Sequence, residues 1–217
     1  MKYALVGISC LVLVLAFVFG SRYYKDQQVQ KYGFMAEEHP ELFVRQHSQT
    51  LGSDDAKVYL VEFMDPACET CAAFAPFIKQ MMAANPGKIK LVIRYAPFHD
   101  GADNFVKILE AAKMQGKYWE TLDVMFKTQN IWASHHNYQP ERLWQVLPRA
   151  GVDIEQIKID MHDPAIAKII EQDMADVRAL NVQKTPGYFV NGKPLQTFGY
   201  KQLYQLVQAE LEAKYPK

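Results

Sequence analysis

Three absences narrow what this chain of 217 residues can be. Lysine plus arginine and aspartate plus glutamate both number 24, so no basic surplus points to nucleic acid as a partner. Cysteine occurs only three times, which leaves no framework of several structural disulfides. No internal repeat and no low-complexity segment is visible, which argues against a repeat architecture. Without roughly the first 40 residues, which are discussed below, the chain is long enough for one domain of about 170 residues with its own hydrophobic core.

Two of the three cysteines, Cys68 and Cys71, form a CxxC motif where a strand is predicted to run into a helix. Residues 58–64 are apolar apart from Glu62 and predict a buried strand, which residues 65–66 (Asp-Pro) break. Cys68 then falls at a helix N-terminus, where unpaired N–H groups and the helix dipole stabilise a thiolate. Cys71 lies on the same helix face, so the two sulfurs can close and reopen a short disulfide. The pattern predicts a redox-active pair.

Three other interpretations of the pair are weaker. A zinc site would need four ligands, and neither a second CxxC nor a His-x3-5-His run is present to complete it. A structural disulfide of this spacing closes a loop too small to constrain the unfolded chain much. Two unrelated buried thiols would not require an electropositive helix start. We therefore expect no metal and no organic cofactor, only the redox-active disulfide Cys68–Cys71.

The N-terminus carries an almost unbroken apolar run over residues 3–19. Residues 1–20 are predicted to be a transmembrane anchor or a signal segment, because the run has about the minimum length for a span and exceeds the ~7–15 apolar residues of a cleaved signal. Cleavage near residue 20 stays open. Cys10 lies within the run and is interpreted as a small hydrophobic residue. Residues 21–40 are polar and are predicted to be a juxtamembrane tether, with the rest of the chain outside the cytoplasm.

The remaining elements follow in an order that indicates the fold class. Residues 41–49 are weakly helical, and residues 51–55 read as a turn. The later predicted elements are a strand at 88–95, helices over about 100–180 with a break at 129–139, a hairpin of 185–190 and 193–198 around Asn191-Gly192, and a helix from 200. Two strands joined by a helix should run parallel. The order predicts an α/β protein in which a helical insertion separates a βαβ unit from a ββα unit.

These motifs together resemble the DsbA-like thiol–disulfide oxidoreductases, which have a thioredoxin-like fold with an inserted helical domain. The resemblance covers residues 41–214 and rests on segments 61–71 and 184–193 and on the long helical stretch between them. It implies that Cys68 is the exposed nucleophile and Cys71 the resolving thiol.

The resemblance also implies supporting roles for three residues. Pro186 matches the family's cis-proline, which faces the disulfide and holds a substrate chain in extended form. Thr185 precedes it and tunes sulfur reactivity. Glu62 matches a buried acid beneath the active site, and a carboxylate inside an apolar strand is costly unless it is useful. The alternative for Glu62 is an edge residue that faces solvent.

The dipeptide between the cysteines departs from the family's strongest oxidants. Those members carry Pro-His, whereas this chain has Glu69-Thr70. The negative charge of Glu69 should raise the pKa of the nearby thiol relative to such a member and make the protein a weaker oxidant. Lys184, beside the proline, could offset part of this effect.

The resemblance implies an enzyme that exchanges disulfides with exported polypeptides and is served by a membrane redox partner. It favours an oxidase. It would lie in the bacterial periplasm or at the cell-envelope face, held to the membrane by its N-terminal helix. One alternative within the same chemistry is a disulfide reductase or isomerase. A different one is a membrane-anchored metal- or polypeptide-binding module, to which residues 135–136 (His-His) could contribute.

Overall fold

The computed structural model describes residues 2–134 and 137–216, and the side chains of residues 11–133 and 138–216. Within these residues the helices are α1 (Lys2–Glu38), α2 (Glu69–Ala84), α3 (Ala102–Met114), α4 (Tyr118–Lys127), α5 (Gln129–Trp132), α6 (Pro140–Val146), α7 (Ile154–Asp160), α8 (Pro164–Ala179) and α9 (Tyr200–Lys214). The strands are β1 (Gln49–Leu51), β2 (Val58–Met64), β3 (Ile89–Tyr95), β4 (Ala133–Ser134), β5 (Asn137–Tyr138), β6 (Gly187–Val190) and β7 (Lys193–Pro194). Short 3-10 helices cover Pro40–Leu42 and Leu147–Ala150.

A five-stranded sheet in the order β1-β3-β2-β6-β7 forms the centre of the fold. Strands β2 and β3 are parallel and are joined by α2, because a crossover helix packs back on the sheet it leaves. Strand β6 pairs antiparallel with β2 and turns into β7. Helices α3 to α8 lie in sequence between the two halves. The predicted α/β fold with a helical insertion is confirmed.

The two faces of β2 are buried against different helices. Successive side chains of a strand point to opposite faces, so Leu60 and Met64 join the larger core with α2 while Val61 and Phe63 join a smaller core with α1 and α8. Glu62 stands between these last two in sequence and therefore falls on the α2 face. That face carries the CxxC motif.

Three short regions of the chain differ from the sequence prediction. Residues 49–51 form edge strand β1, antiparallel to β3, where the end of a weak helix and the start of a turn were predicted. Three residues are too few to show a strand period, and only the pairing with β3 reveals them. The predicted break at 129–139 holds α5 and the two-stranded pair β4–β5. Strand β7 ends at Pro194, which has no N–H with which to extend the ladder.

Helix α1 runs without interruption through the predicted leader and the predicted tether. Its last turns pack on the domain: the Tyr32 hydroxyl donates to the Leu180 carbonyl at 2.9 Å, and its ring meets Phe189 edge-on. At the β6–β7 turn Gly192 has φ +80°, and a Cβ there would overlap Ala36 of α1. In the part of the chain that the structure describes, no helix is long and apolar enough to cross a membrane. The Cys10 side chain lies outside the described side chains.

Candidate active site

The CxxC motif lies where β2 passes into α2, and a buried aspartate shapes that turn. The Asp65 carboxylate is fully buried and accepts hydrogen bonds from the N–H groups of Ala67 at 2.8 Å, Phe98 at 2.8 Å and His99 at 2.9 Å. It thereby ties the turn before α2 to the loop after β3. Cys68 follows with φ −75° and ψ 115°, the extended conformation of a helix N-cap residue.

The two cysteines are free thiols in contact with each other. Cys68 Sγ accepts a hydrogen bond from the Cys71 N–H at 3.4 Å. When it is protonated, Cys68 donates a hydrogen bond to the Thr185 carbonyl at 3.4 Å, whereas the thiolate is stabilised by the Thr185 side chain. Hydrogen bonds from the Cys71 thiol, from Thr185 and from the first N–H groups of α2 lower the pKa of Cys68 from 9.0 to about 6, although burial opposes the change. Cys68 is therefore mostly a thiolate at neutral pH.

Cys71 has the opposite electrostatic character. Its side chain is completely buried, and this burial raises its pKa well above the ordinary value, to which Cys68 and Glu62 contribute further. Two thiols three residues apart thus differ in protonation, one anionic and one neutral. This asymmetry suits a nucleophile paired with a resolving thiol.

The structure brings the predicted proline loop to the thiols. The Thr185–Pro186 peptide bond is cis, and the Thr185 carbonyl is the one that Cys68 contacts. The loop leads directly into β6, which pairs with β2. Segments distant in sequence by 117 residues therefore meet at Cys68.

Glu62 lies beneath the thiols, on the face of β2 that α2 covers. It is only 4% exposed, which excludes the interpretation as a solvent-facing edge residue. Burial raises its pKa from 4.5 to about 8; interaction with the Tyr188 hydroxyl opposes the rise, and the Cys68 charge adds to it. Glu62 is therefore largely neutral at pH 7 and can donate a proton.

Glu69 and Thr70, the predicted residues between the cysteines, are the first residues of α2 and are exposed. The backbone N–H of Thr70 is one of the groups that lower the pKa of Cys68. Lys184, beside the proline loop, places its ammonium group 5.8 Å from the Phe198 ring centre.

An apolar cavity of about 360 Å³ lies beside the site, between the sheet, α2 and α4. Glu62 contributes to its wall from β2, and apolar side chains such as Leu122 cover most of it. Lys79, Asp123 and Lys127 also line it, and Asp123 pairs with both lysines, at 2.8 and 2.6 Å.

Sequence reasoning missed three further residues around the thiols. His99 Nδ1 lies 2.8 Å from Asp65 Oδ2, and its ring meets Tyr138 edge-on. Burial raises the pKa of Tyr138 to about 12, with the charges of Asp65 and Cys68 adding to the effect. Tyr188 lies on β6 opposite Glu62. The only sequence signal was the Asp65-Pro66 step beside which His99 lies. It was interpreted as a strand break, and not as the site of a buried hydrogen-bond acceptor.

Among the described residues, no group of three or more histidine, cysteine, aspartate or glutamate side chains could hold a metal ion. The two histidines at 135–136, considered above as possible ligands, lie outside the described residues.

Comparison with known proteins decides the family. The model of a family described as thioredoxin matches residues 45–209. The chain belongs to the thioredoxin family. Within this family it is similar to a thioredoxin-like oxidoreductase from Silicibacter pomeroyi DSS-3, with 26% identity, a TM-score of 0.69 and coverage of 79% of this chain and 96% of that one. The resemblance to DsbA-like proteins drawn from the sequence is confirmed.

The curated relatives of this thioredoxin-family chain fall into two groups. A probable disulfide bond formation protein D from Bacillus cereus is 30% identical over 164 residues, which cover 70% of this chain and 74% of the relative. A Na(+)/H(+) antiporter NhaA from Herminiimonas arsenicoxydans is 30% identical over 145 residues, 67% of this chain but 22% of the relative. The chain thus spans about a fifth of the length of the antiporters that it matches.

Proposed function

We propose that this protein is an extracytoplasmic thiol–disulfide oxidoreductase that exchanges disulfides with exported polypeptides through Cys68 and Cys71. The observation that carries the proposal is the asymmetry of the pair, in which the pKa of Cys68 is lowered to about 6 and that of Cys71 is raised by burial. A thiolate held at a helix start beside a neutral buried thiol is the chemical arrangement that exchange requires.

In the oxidising direction, a substrate thiolate attacks Cys68 of the Cys68–Cys71 disulfide. The new substrate–Cys68 bond forms while Cys71 leaves as a thiolate. A second substrate thiolate then attacks the substrate sulfur and releases Cys68 as a thiolate. The substrate gains a disulfide and loses two electrons, and the reduced pair passes them to a membrane redox partner. The exchange needs no metal or organic cofactor.

The surrounding residues support these steps. The loop of Thr185 and Pro186 lies against Cys68 and holds the substrate backbone beside the sulfur. Glu62, largely neutral at pH 7 because its pKa is about 8, gives a proton to the Cys71 thiolate as it leaves. Glu69 and Thr70 are exposed at the rim, where a substrate chain approaches.

The lowered pKa of Cys68 favours the oxidase over the reductase. Stabilising the thiolate stabilises the reduced protein, which makes its disulfide a stronger oxidant. The negative charge of Glu69 works against this, and the hydrogen bonds to Cys68 Sγ outweigh it in the proposed balance. The direction of electron flow follows from the reduction potential.

The test uses the full chain and a reduced, unfolded polypeptide that contains two cysteines. The oxidised wild type should introduce a disulfide, Cys68→Ser should be inactive, and Cys71→Ser should accumulate a mixed disulfide after it is charged with a substrate disulfide. Normal turnover by Cys71→Ser would refute the two-thiol mechanism. A reduction potential more oxidising than that of the glutathione pool supports the oxidase, and a strongly reducing potential supports a reductase in its place.

A further inference from the structure

Tyr188 lies directly across the β2–β6 ladder from Glu62. Partners in an antiparallel ladder project to the same face, with their Cβ atoms about 4.5–5.5 Å apart. Both side chains are buried, Tyr188 at 3% exposure and Glu62 at 4%. The Tyr188 ring packs against Phe74 of α2, with ring centres 5.8 Å apart. Tyr188 therefore occupies the same enclosed space as Glu62 and the CxxC helix.

In the described structure the Tyr188 hydroxyl has no partner at full hydrogen-bond distance and angle, although it is near enough to Glu62 to lower the pKa of that carboxyl. An unpaired hydroxyl inside a protein costs free energy, and nearly all buried hydroxyls have a partner. Phenylalanine would fill the same space without that cost. The hydroxyl therefore needs an explanation other than packing.

The titratable groups around this hydroxyl are those of the proposed reaction. Glu62, Cys71 and Cys68 act on Tyr188 electrostatically, Glu62 most strongly among them. Tyr118 of α4 also interacts with Glu62 electrostatically, but its hydroxyl is already hydrogen-bonded to that of Tyr95.

The charged side chains that share the cavity with Glu62 already have partners. Lys79, Asp123 and Lys127 line that cavity with Glu62 and pair with one another. The described structure has two buried hydroxyls without a fully formed hydrogen bond, those of Thr121 and Tyr188. Of these, Tyr188 lies across the ladder from Glu62.

The proposed exchange creates a charge at this place. A substrate thiolate, the Cys68–Cys71 disulfide and the Glu62 carboxylic acid are converted into the substrate–Cys68 disulfide, the Cys71 thiol and the Glu62 carboxylate. One negative charge is present before and after the step, and it moves from the substrate sulfur to the buried carboxylate. A buried carboxylate is unstable unless a donor meets it.

We propose that Tyr188 is a positioning residue whose hydroxyl donates a hydrogen bond to the Glu62 carboxylate when Glu62 has given its proton to Cys71. The proposal rests on the proposed function and adds a residue to it. The hydroxyl is unpaired while Glu62 is neutral and gains its partner when Glu62 ionises. The unpaired hydroxyl costs free energy in the resting protein, and its hydrogen bond to the Glu62 carboxylate offsets that cost during the reaction.

The first test compares Tyr188→Phe with Tyr32→Phe, a matched control. Both changes remove one buried tyrosine hydroxyl, but Tyr32 lies on the other face of the sheet and donates to Leu180. In the reduced protein, the NMR shift of the Glu62 carboxyl carbon followed against pH should show its pKa rising by about one unit in Tyr188→Phe. It should not move in Tyr32→Phe, and the thiolate absorbance of Cys68 should titrate as in the wild type in both.

The second test measures whether the hydroxyl acts through Glu62. At neutral pH, Tyr188→Phe should slow the attack of a thiol on the oxidised pair by about tenfold, the rate equivalent of one pKa unit. In a Glu62→Gln background the same change should have no further effect. Equal slowing in both backgrounds, or an unchanged Glu62 titration, would overturn the proposal.

Folding and the proposed function are controlled separately. Tyr188→Phe should unfold at the same temperature as the wild type or higher, because it removes an unpaired hydroxyl. If it does not fold, Tyr188→Met removes the donor equally and carries the same expectations. A wild type without any exchange would refute the proposed function, whereas normal exchange with an unchanged Glu62 titration in Tyr188→Phe would refute only the role of Tyr188.

Discussion

Two buried ionisable side chains on neighbouring strands of the sheet, Arg94 and Glu62, differ in whether oppositely charged residues surround them. Arg94 of β3 is completely buried on the α8 face, where it donates to Asp173 at 2.7 and 3.0 Å, to the Leu42 carbonyl at 2.8 Å and also to Asp176. Glu62 of β2 is buried on the α2 face and has no ion pair within the described residues. The Arg94 charge meets opposite charges on several sides, whereas no opposite charge in the described structure offsets the burial of Glu62.

The difference separates a structural charge from a reactive one. The cluster around Arg94 extends through Asp176 to Arg45 and through Asp173 to His47, and it joins β3, α8 and the segment after α1. Opposite charges face each other across the cluster. Burial raises the pKa of Asp176, but hydrogen bonds from Arg45 and Arg94 lower it below its ordinary value. Glu62 meets no opposite charge among the described residues, so its pKa rises to about 8 and its proton becomes transferable near neutral pH.

Removing Arg94 from its cluster of ion pairs should have the largest effect on stability. Arg94→Met keeps the volume but leaves Asp173 and Asp176 buried near each other without their shared partner, and it should lower the free energy of unfolding by about 3–5 kcal/mol. Chemical denaturation measures the change. Arg45→Met, which removes a partly exposed partner of Asp176, is the matched control and should cost less. Equal stabilities of Arg94→Met and the wild type would show that the cluster does not hold the fold.

Replacing Glu62, which has no oppositely charged partner in the part of the chain that the structure describes, should increase the free energy of unfolding, whereas replacing Arg94 should decrease it. The pKa of Glu62 is raised from 4.5 in the unfolded chain to about 8 in the folded protein, so folding is penalised increasingly as pH rises from 4.5 through 8. Glu62→Gln should therefore gain stability relative to the wild type across that range, by about 4 kcal/mol at the upper end. Denaturation at several pH values measures it. A difference independent of pH would contradict the assigned titration.

The Cys68 thiolate should show the reverse pH dependence. Its pKa is lowered from 9.0 to about 6 in the fold, so it contributes stability that is complete above pH 9 and is lost as pH falls through 6. The reduced wild type should therefore become more stable than Cys68→Ser by about 2 kcal/mol as pH rises from 6 to 9. Cys71→Ser is the control, because the Cys71 thiol stays neutral in this range. A constant difference between the reduced wild type and Cys68→Ser would show that Cys68 does not titrate in this range.

The smallest effect is expected for an exposed ion pair. Lys79 and Asp123 meet at 2.8 Å beside the cavity, but the lysine side chain is 53% exposed. Lys79→Met should change the free energy of unfolding by less than about 1 kcal/mol, and Lys127→Met, which removes the other partner of Asp123, should behave similarly. A loss as large as that of Arg94→Met would mean that exposure does not distinguish the two classes of pair.

Patterns within one segment were predictable from the sequence, and arrangements made by several segments were not. The apolar run of β2, the helix start at Cys68 and the hairpin turn at Asn191-Gly192 are each set by neighbouring residues, and each was predicted. Strand β1 was missed because three residues show no period and depend on β3 for their pairing.

The same distinction applies to the candidate site: features set by one segment were predictable, and features made by several segments were not. Burial of Glu62 could be anticipated from the strand in which it lies. Two of the three N–H groups that bind Asp65, those of Phe98 and His99, come from a loop more than 30 residues away. The position of the Tyr188 hydroxyl depends on its ladder register with Glu62. No local pattern carries that information, because register is decided by the packing of the whole sheet.

The turn at Gly192 restricts sequence variation in two independent ways. Its φ of +80° favours glycine over any residue with a side chain, and Ala36 of α1 occupies the space that a Cβ would need. A residue such as asparagine, which tolerates a positive φ, would meet the first condition and fail the second. In a library that varies position 192, only glycine should be accepted while α1 is docked on the domain. Acceptance of other residues at this position would indicate that α1 is no longer packed against it.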